Sequence, residues 1–119
     1  MIEVRKARLE DWVMIDQLGQ EVLGYEIDQA FSQSRLAAVL SKPANQLFVA
    51  FVSGEPAGYI HLQDYDVTYA IPYKNILGLA VFEHFQRQWV GQALIEAAED
   101  FARADGAGGI RLNSGEGRY

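Results

Sequence analysis

Cysteine is absent from this sequence of 119 residues. Its absence excludes disulfide bonds, thiolate nucleophiles and zinc sites built from cysteine. The chain has 2 histidines, His61 and His84, which are too few for a multi-histidine metal site. No apolar run approaches the roughly 20 residues of a membrane span, and no apolar core follows residues 1–5, so a signal peptide is not expected. We therefore expect a soluble, cytoplasmic protein without a bound metal.

Positive charge is also scarce. Lysine and arginine together number 10, against 16 aspartate and glutamate residues, and the formal net charge is -6. Such a chain repels a phosphate backbone, so nucleic acid is not an expected partner, whereas a cationic ligand is compatible with it. Hydrophobic residues make up 50% of the chain and charged residues 22%, as in globular rather than disordered proteins. We expect one domain that spans residues 1–119.

Hydrophobic periodicity predicts eight elements in the order β-α-α-β-β-β-α-β. The apolar residues of the first helix recur every three or four positions, as expected for one buried face. The last β-α-β unit implies two parallel strands joined by a helix. The predicted strands are 2–6, 46–52, 57–65, 76–82 and 110–113, the helices are 9–24, 34–41 and 89–104, and the buried face of the first helix comprises Leu9, Trp12, Ile15, Leu18 and Val22.

The most informative segment joins the strand at 76–82 to the helix at 89–104. A helix N-terminus presents unpaired backbone N–H groups and a partial positive charge, which together attract anions. Gly91 allows the backbone to approach a ligand closely, and Arg87 adds a cation. These residues favour a ligand that carries phosphate. A plain strand-to-helix connection with a packing glycine has the same sequence, so the residues alone leave both interpretations open.

Residues 86–91, Gln-Arg-Gln-Trp-Val-Gly, resemble the acyl-CoA-binding motif Q/R-x-x-G-x-G/A of the GNAT superfamily of N-acetyltransferases. Residues 79–81 look like the family strand that bonds the pantetheine arm through its backbone. Residues 4–11 are similar to the family's opening strand and first helix, and residues 112–115 with Arg118 look like the end of its fifth strand. The resemblance implies an α/β, GNAT-like mixed sheet flanked by helices.

The same resemblance implies a reaction. An acetyl group would pass directly from acetyl-CoA to a primary amine of a small molecule or peptide, without a covalent intermediate and without a metal. Acetyl-CoA would lie between the strands at 77–82 and 110–113, with its pyrophosphate held by the backbone N–H groups of residues 87–92. The residues expected to bind acetyl-CoA are Leu79, Ala80, Val81, Gln86, Arg87, Gln88, Trp89, Val90, Gly91, Gln92 and Asn113.

Two departures from the family pattern are visible. Trp89 stands where the motif has its first glycine. The family fold also continues with a further helix and two strands, whereas this sequence ends first, so the resemblance implies a C-terminally truncated domain. A strand edge left open at 110–113 invites pairing with another chain, which predicts a homodimer through that edge. Because of these two departures, a non-catalytic module that binds CoA or another protein is the alternative function.

Glu83 is the predicted general base. It follows the strand at 76–82 and lies near the thioester end of the site that the resemblance implies, although a solvated loop glutamate is the alternative. His84, beside it, is expected to be an exposed loop residue. His61 alternates with Ile60 and Leu62, so its side chain faces away from theirs, where it either lines the acceptor cleft or sits on an open face.

A second group of polar residues lies in and beside the loop before the strand at 76–82. Asp64 and Asp66 could attract a cationic amine, although charged residues there are usually solvated. Three tyrosines could wall an acceptor pocket, although half-exposed tyrosines are common without a function. Trp12 has the spacing of a packing residue of its helix. The tyrosines are Tyr65, Tyr69 and Tyr73.

Overall fold

The computed structural model describes residues 1–22, 24 and 28–112. The element order over these residues is β-α-α-β-β-β-α-β, which confirms the predicted order. Short 3-10 turns at Leu9–Asp11 and Glu83–Phe85 precede the first and last α-helices. The elements are β1 (Ile2–Lys6), α1 (Trp12–Glu21), α2 (Gln29–Leu40), β2 (Asn45–Val52), β3 (Glu55–Tyr65), β4 (Tyr73–Val81), α3 (Val90–Ala104) and β5 (Ile110–Leu112).

The strands form one sheet of five strands in the order β1-β2-β3-β4-β5. The first three pairs of neighbours are antiparallel, and β4 and β5 are parallel, as the predicted β-α-β unit requires. The parallel pairing is short, because it begins at Lys74↔Ile110 and ends at Ile76↔Leu112. β4 continues to Val81. The second half of β4, residues 77–81, therefore extends beyond the described part of β5, and we call it the open half of β4.

Helices cover both faces of the sheet. Along β3, Ile60 and Leu62 are fully buried, and a Cβ built on Gly58 of the same face would lie 3.3 Å from Leu94 of α3. Tyr59 and His61 alternate with them and face the opposite side, toward α1 and α2. The predicted orientation of His61, away from its two neighbours, is confirmed. α3 packs against all five strands. Its buried residues recur at every fourth position: Val90, Leu94, Ala98 and Ala102.

Several predicted boundaries were wrong for local physical reasons. α2 begins at Gln29, not at residue 34, because the Asp28 carboxylate accepts the backbone N–H of Phe31 at 3.0 Å and caps the helix. β3 begins at Glu55, since Pro56 is accommodated beside a β-bulge where the register with β2 shifts. Leu9 is 43% exposed, not buried, because the 3-10 turn changes the phase of the helix that follows.

Asp11 is a buried carboxylate that connects β1 to the start of the first helix. It is 7% exposed and accepts both guanidinium nitrogens of Arg5 at 2.9 Å and the backbone N–H of Arg8 at 2.7 Å. Burial by itself would raise the pKa of Asp11, but these hydrogen bonds outweigh it and hold the pKa below its ordinary value. The bidentate pair joins β1 to the start of α1.

Candidate active site

The open half of β4 begins at a β-bulge. His61 of β3 is opposite Gly78, and Leu62 is opposite Ile76, so Leu77 is the additional residue and its side chain is 38% exposed. Bulges redirect a strand and often end its pairing. The predicted pantetheine-binding residues 79–81 follow directly. Ala80 is buried and Leu79 and Val81 are half-buried, and their bonds to a pantetheine arm stay a prediction.

The connection between β4 and α3 contains two residues in the left-handed region, Arg87 at φ 68° and Trp89 at φ 72°. Non-glycine residues adopt this conformation at a cost, whereas glycine adopts it freely. Trp89 stands at the first glycine of the family motif, so the backbone keeps the conformation that a glycine there favours. Gln86, the first residue of the motif, donates its side-chain amide to the carbonyl of Val81 at 3.0 Å.

The Trp89 side chain lies on the surface at the start of α3. It is 71% exposed and lines a surface hollow with Ile2 of β1, which lies at the opposite edge of the sheet from β5. The side chain therefore extends toward β1 and away from the open half of β4. The other residues of the hollow are Gln92, Ala93 and Glu96.

The first turn of α3 has backbone N–H groups that come before the first hydrogen bond of the helix, and we call it the bare turn. The hydrogen-bond ladder of the helix starts with Ala93 N–H to the carbonyl of Trp89 at 2.9 Å, so the N–H groups of residues 90–92 precede it. A Cβ built on Gly91 meets no atom within 4 Å. Arg87 and Gln88 are exposed beside this turn. The donors, the open space and the cation fit a pyrophosphate.

Glu83 and His84, the candidate groups next to β4, are both exposed on the 3-10 turn. The His84 ring lies against Phe85, with ring centroids 4.2 Å apart. His84 is thus an exposed residue, as expected. Asn113, which was predicted to contact acetyl-CoA, lies outside the described residues.

A cavity of about 190 Å³ lies between α1, α2 and the adjoining face of β2 and β3. This cavity was not predicted from the sequence; Trp12, expected to be a packing residue of its helix, is half-buried and lines it. No local pattern could reveal it, because its walls come from four separate elements. Aliphatic and aromatic groups line most of it, together with Asp16, Arg35 and His61; they are Trp12, Ile15, Phe31, Leu36, Val39, Leu47 and Tyr59.

His61 is held at the wall of this cavity by a network of amides. Its Nε2 lies 3.2 Å from Oδ1 of Asn45, which also accepts the amide of Gln63 at 3.1 Å. The Asn45 amide donates to the carbonyl of Val39 at 3.3 Å. Burial lowers the pKa of His61 below its ordinary value, so the imidazole is neutral at pH 7.

The group of aspartates and tyrosines predicted near an acceptor lies away from the cavity that His61 lines. Asp64 forms an ion pair with Lys74 at 2.6 Å, and Tyr65 is opposite Tyr73, the first residue of β4. This group is therefore at the start of β4, whereas the bare turn of α3 follows its end. It does not line the cavity that His61 lines. Asp66 and Tyr69 are exposed.

Comparisons with known proteins identify the family and the fold. The model of the acetyltransferase (GNAT) family matches residues 4–117. A GNAT family acetyltransferase from Staphylococcus aureus superposes with a TM-score of 0.85 at 21% identity, over 99% of this chain and 91% of that one. Glucosamine-6-phosphate N-acetyltransferase from Arabidopsis thaliana superposes with a TM-score of 0.80 at 18% identity, over 95% and 82%.

A third structure contains a ligand. AAC(6')-Iy, in complex with the bisubstrate analog CoA-S-monomethyl-acetylneamine, superposes with a TM-score of 0.82 at 16% identity, over 99% of this chain and 82% of that one. At these identities the structures show the fold alone. No curated protein matches the chain. Within residues 1–22, 24 and 28–112, no helix has the length and apolar character needed to cross a membrane, and these residues form no group of three or more possible metal ligands.

Proposed function

The chain belongs to the acetyltransferase (GNAT) family, and from that premise we propose that it is an N-acetyltransferase. It would move the acetyl group of acetyl-CoA to a primary amine by direct transfer. The observation that supports this most is the bare first turn of α3, which directly follows the open half of β4. Donors for a pyrophosphate and a strand edge for the pantetheine arm are therefore next to each other.

Acetyl-CoA would be bound largely by backbone groups. The N–H groups of residues 87–92 would hold the pyrophosphate at the positive end of the helix dipole, and the exposed Arg87 would add a mobile cation. Backbone groups of residues 79–81 would bond the pantetheine arm. Gln86 would contribute by fixing the end of β4 through its bond to Val81, and Asn113 stays a predicted contact of the arm.

The cavity between α1, α2 and β3 would receive the acceptor. Its mostly apolar lining fits an amine attached to an aliphatic or aromatic body. Asp16 supplies a carboxylate at its rim, oriented by hydrogen bonds from Ser32 at 2.5 Å and Gln20 at 2.9 Å. An aminoglycoside acetyltransferase and a glucosamine-6-phosphate N-acetyltransferase are among the structurally similar proteins, which supports a small-molecule amine as the acceptor here.

The acceptor must lose a proton before it attacks, since an ammonium nitrogen has no lone pair. Two groups of this chain can take the proton. Glu83, the base predicted from sequence, is exposed on the turn after β4. His61 lines the cavity on the other side of the sheet from the α3 core.

Titration calorimetry with acetyl-CoA tests the binding half of the proposal. We expect dissociation constants in the micromolar range, with desulfo-CoA bound similarly and free pantetheine much more weakly, because the pyrophosphate contacts are lost. A panel of aliphatic and aromatic monoamines, assayed by release of free thiol, then tests turnover. Absence of acetyl-CoA binding refutes the proposal. Binding without turnover of any amine favours the non-catalytic CoA-binding module.

Two further expectations accompany this function. A homodimer would form through the edge at 110–113, because β5 ends the sheet among the described residues and an open edge pairs readily. Light scattering at increasing concentration tests this, and a strict monomer refutes it. A cytoplasmic location stays a prediction from the sequence.

A further inference from the structure

His61 lies between the acceptor cavity and the open half of β4. It is opposite Gly78 in the register of β3 and β4, and a Cβ built on Gly78 would lie 4.0 Å from the His61 Cβ and 3.2 Å from the Tyr59 hydroxyl. The Tyr59 hydroxyl lies over Gly78, so Tyr59 and His61 are the side chains of β3 that adjoin the start of the open half. His61 is therefore at the wall of the cavity and beside the start of the open half of β4.

The amide network assigns the tautomer of His61. The orientation of the Asn45 amide is set by two bonds, since its Nδ2 donates to Val39 and its Oδ1 accepts from Gln63. Oδ1 carries no proton, so the His61 Nε2 at 3.2 Å must be the donor. The neutral ring then keeps its lone pair on Nδ1, which has no hydrogen-bond partner among the described residues.

The charged and titratable groups that share the cavity with His61 come from three elements. Asp16 is on α1, Arg35 on α2 and Tyr59 on β3. Asp16 is already bonded to Ser32 and Gln20, and the pKa of His61 is set chiefly by burial, which lowers it. Burial thus keeps the lone pair available at neutral pH.

Glu83 is farther from the cavity than His61 and is less well placed to act as the base. It is exposed at the first position of the 3-10 turn, and it does not line the cavity. A base must come within hydrogen-bond reach of the proton it removes. An amine seated in the cavity is next to His61, whereas the carboxylate of Glu83 is outside.

We propose that His61 is the catalytic residue that removes the proton from the acceptor amine, an inference that rests on the function proposed above. The ammonium gives one proton to Nδ1 and keeps its electron pair. Nitrogen uses that pair to form the C–N bond, and the C–S bond breaks with its electrons going to sulfur. Of the two protons left on nitrogen, one ends on the thiol and one stays on the amide, and Nδ1 releases its proton to water.

Nuclear magnetic resonance tests the tautomer without any catalysis. With only two histidines in the chain, ¹⁵N-labelled imidazoles can be assigned by His61→Gln and His84→Gln variants. We expect the His61 ring to be protonated at Nε2 and to titrate below the ordinary value of about 6.5. A ring protonated at Nδ1, or one charged at pH 7, overturns the proposal.

Steady-state kinetics test the role, with an amine that the wild-type protein acetylates. His61→Gln keeps a donor for Asn45, so folding is expected to survive, and it should lower kcat by about 10²- to 10⁴-fold. The KM for acetyl-CoA should stay unchanged, and the decline of kcat/KM at acidic pH should disappear. A merely structural role would not remove that pH dependence.

His84→Gln is the matched control, because it removes the other histidine from an exposed turn, and it should keep the rate and the pH profile of the wild type. If Glu83→Gln removes the acidic decline and His61→Gln does not, Glu83 is the base and the inference fails while the acetyltransferase function stands. A wild-type protein that binds acetyl-CoA but acetylates no amine refutes the function, and the inference with it.

Discussion

The two ends of β4 differ in which groups form hydrogen bonds with their polar atoms. At its start, Lys74 is 3% exposed and reaches Asp64 and Asp105 at 2.6 Å each, and Asn75 accepts Arg111 at 2.9 Å. At its end, β4 extends beyond the described part of β5. It then leads to the first turn of α3, whose backbone N–H groups come before the first hydrogen bond of that helix. The start is closed by partners within the chain, whereas the end leaves donors for a ligand.

Polar groups with partners in the same chain and polar groups that face open space have different consequences for this fold. Buried polar groups whose partners belong to the same chain hold elements together, as Lys74 holds β3, β4 and the end of α3. Donors that face open space cost little only where water or a ligand takes their bonds. We therefore expect substitutions at the start of β4 to change stability and substitutions beyond its end to change binding.

The largest effect is expected from Gly91→Leu. The side chain would fill the space in which a Cβ now meets no atom within 4 Å, and would exclude the pyrophosphate from the first turn of α3. We expect at least a 100-fold loss of acetyl-CoA affinity, about 2.7 kcal/mol, in titration calorimetry. Stability should not fall, since leucine has a higher helix propensity than glycine.

Gly109→Leu is the matched control at the closed end. A Cβ there also meets nothing within 4 Å, and the Gly109 carbonyl accepts the backbone N–H of Lys74 at 3.0 Å. This variant should bind acetyl-CoA as the wild type does. Equal affinity of Gly91→Leu and the wild type would contradict the proposed site.

A medium effect is expected from Lys74→Met, which keeps the volume of the side chain and removes its charge. The variant loses two charge-assisted hydrogen bonds and leaves Asp64 and Asp105, which water can still reach. We expect the free energy of unfolding to fall by about 1–3 kcal/mol, measured by urea denaturation. Acetyl-CoA affinity of the folded variant should stay within a few-fold of wild type. A large loss of acetyl-CoA affinity with an unchanged free energy of unfolding would mean that the start of β4 serves binding rather than stability.

The stability that Lys74 provides should depend on pH at both extremes. Burial would lower the pKa of Lys74, but its bonds to Asp105 and Asp64 outweigh this and raise it. Its contribution is therefore complete below the unfolded pKa, about 10.4, and is lost as pH rises through the higher folded value. The Lys74 bond lowers the pKa of Asp105, whose contribution is present above about pH 3.9 and is lost as pH falls.

The stability difference between wild type and Lys74→Met should accordingly be constant from about pH 5 to 9 and shrink outside that window. Urea titrations at a series of pH values measure it. A difference that does not shrink in acid would mean that the ion pairs contribute little and that packing of the lysine stem is responsible.

The smallest effect is expected from Trp89→Gly. The left-handed φ of 72° favours glycine, but glycine also loses more chain entropy on folding, and the two effects oppose each other. We expect a change in stability below about 1 kcal/mol and an acetyl-CoA affinity within a few-fold of wild type, because the indole already extends away from the open half of β4. Trp89→Ala removes the indole and keeps the unfavourable φ, so it should be the less stable of the two. If Trp89→Ala is the more stable, backbone strain at this position is negligible.

Local pattern predicted the elements well and their ends less well. The period of the apolar residues located α3 and the five strands, and the motif at 86–91 marked the turn where the N–H groups are open. Ends were misplaced at α2, where a capping Asp28 extends the helix into a polar stretch, and at β3, where a bulge admits Pro56. Both depend on single hydrogen bonds or register shifts that periodicity does not detect.

The candidate site was predicted only in part, because its two halves have different origins. The phosphate-binding half is a contiguous segment, so a motif can reveal it. The proposed acceptor half is assembled from α1, α2, β2 and β3, and the hydrogen-bond partner of His61, Asn45, is 16 residues away in the chain. Asp64, named from sequence as a residue that could attract a cationic amine, forms an ion pair with Lys74 at the start of β4.

From the residues of the turn before α3 alone, an anion site and a plain connection were both open. The order of the elements, the lack of cysteine chemistry and the buried faces of most helices and strands could all be predicted from the sequence. These follow from backbone geometry and side-chain periodicity, which act over neighbouring residues. The tertiary structure alone decided where β4 and β5 separate, which cavity forms under α1 and α2, and which nitrogen of His61 keeps its lone pair. Those depend on sheet register and on contacts between residues distant in the chain, such as Lys74 and Asp105, which are 31 positions apart.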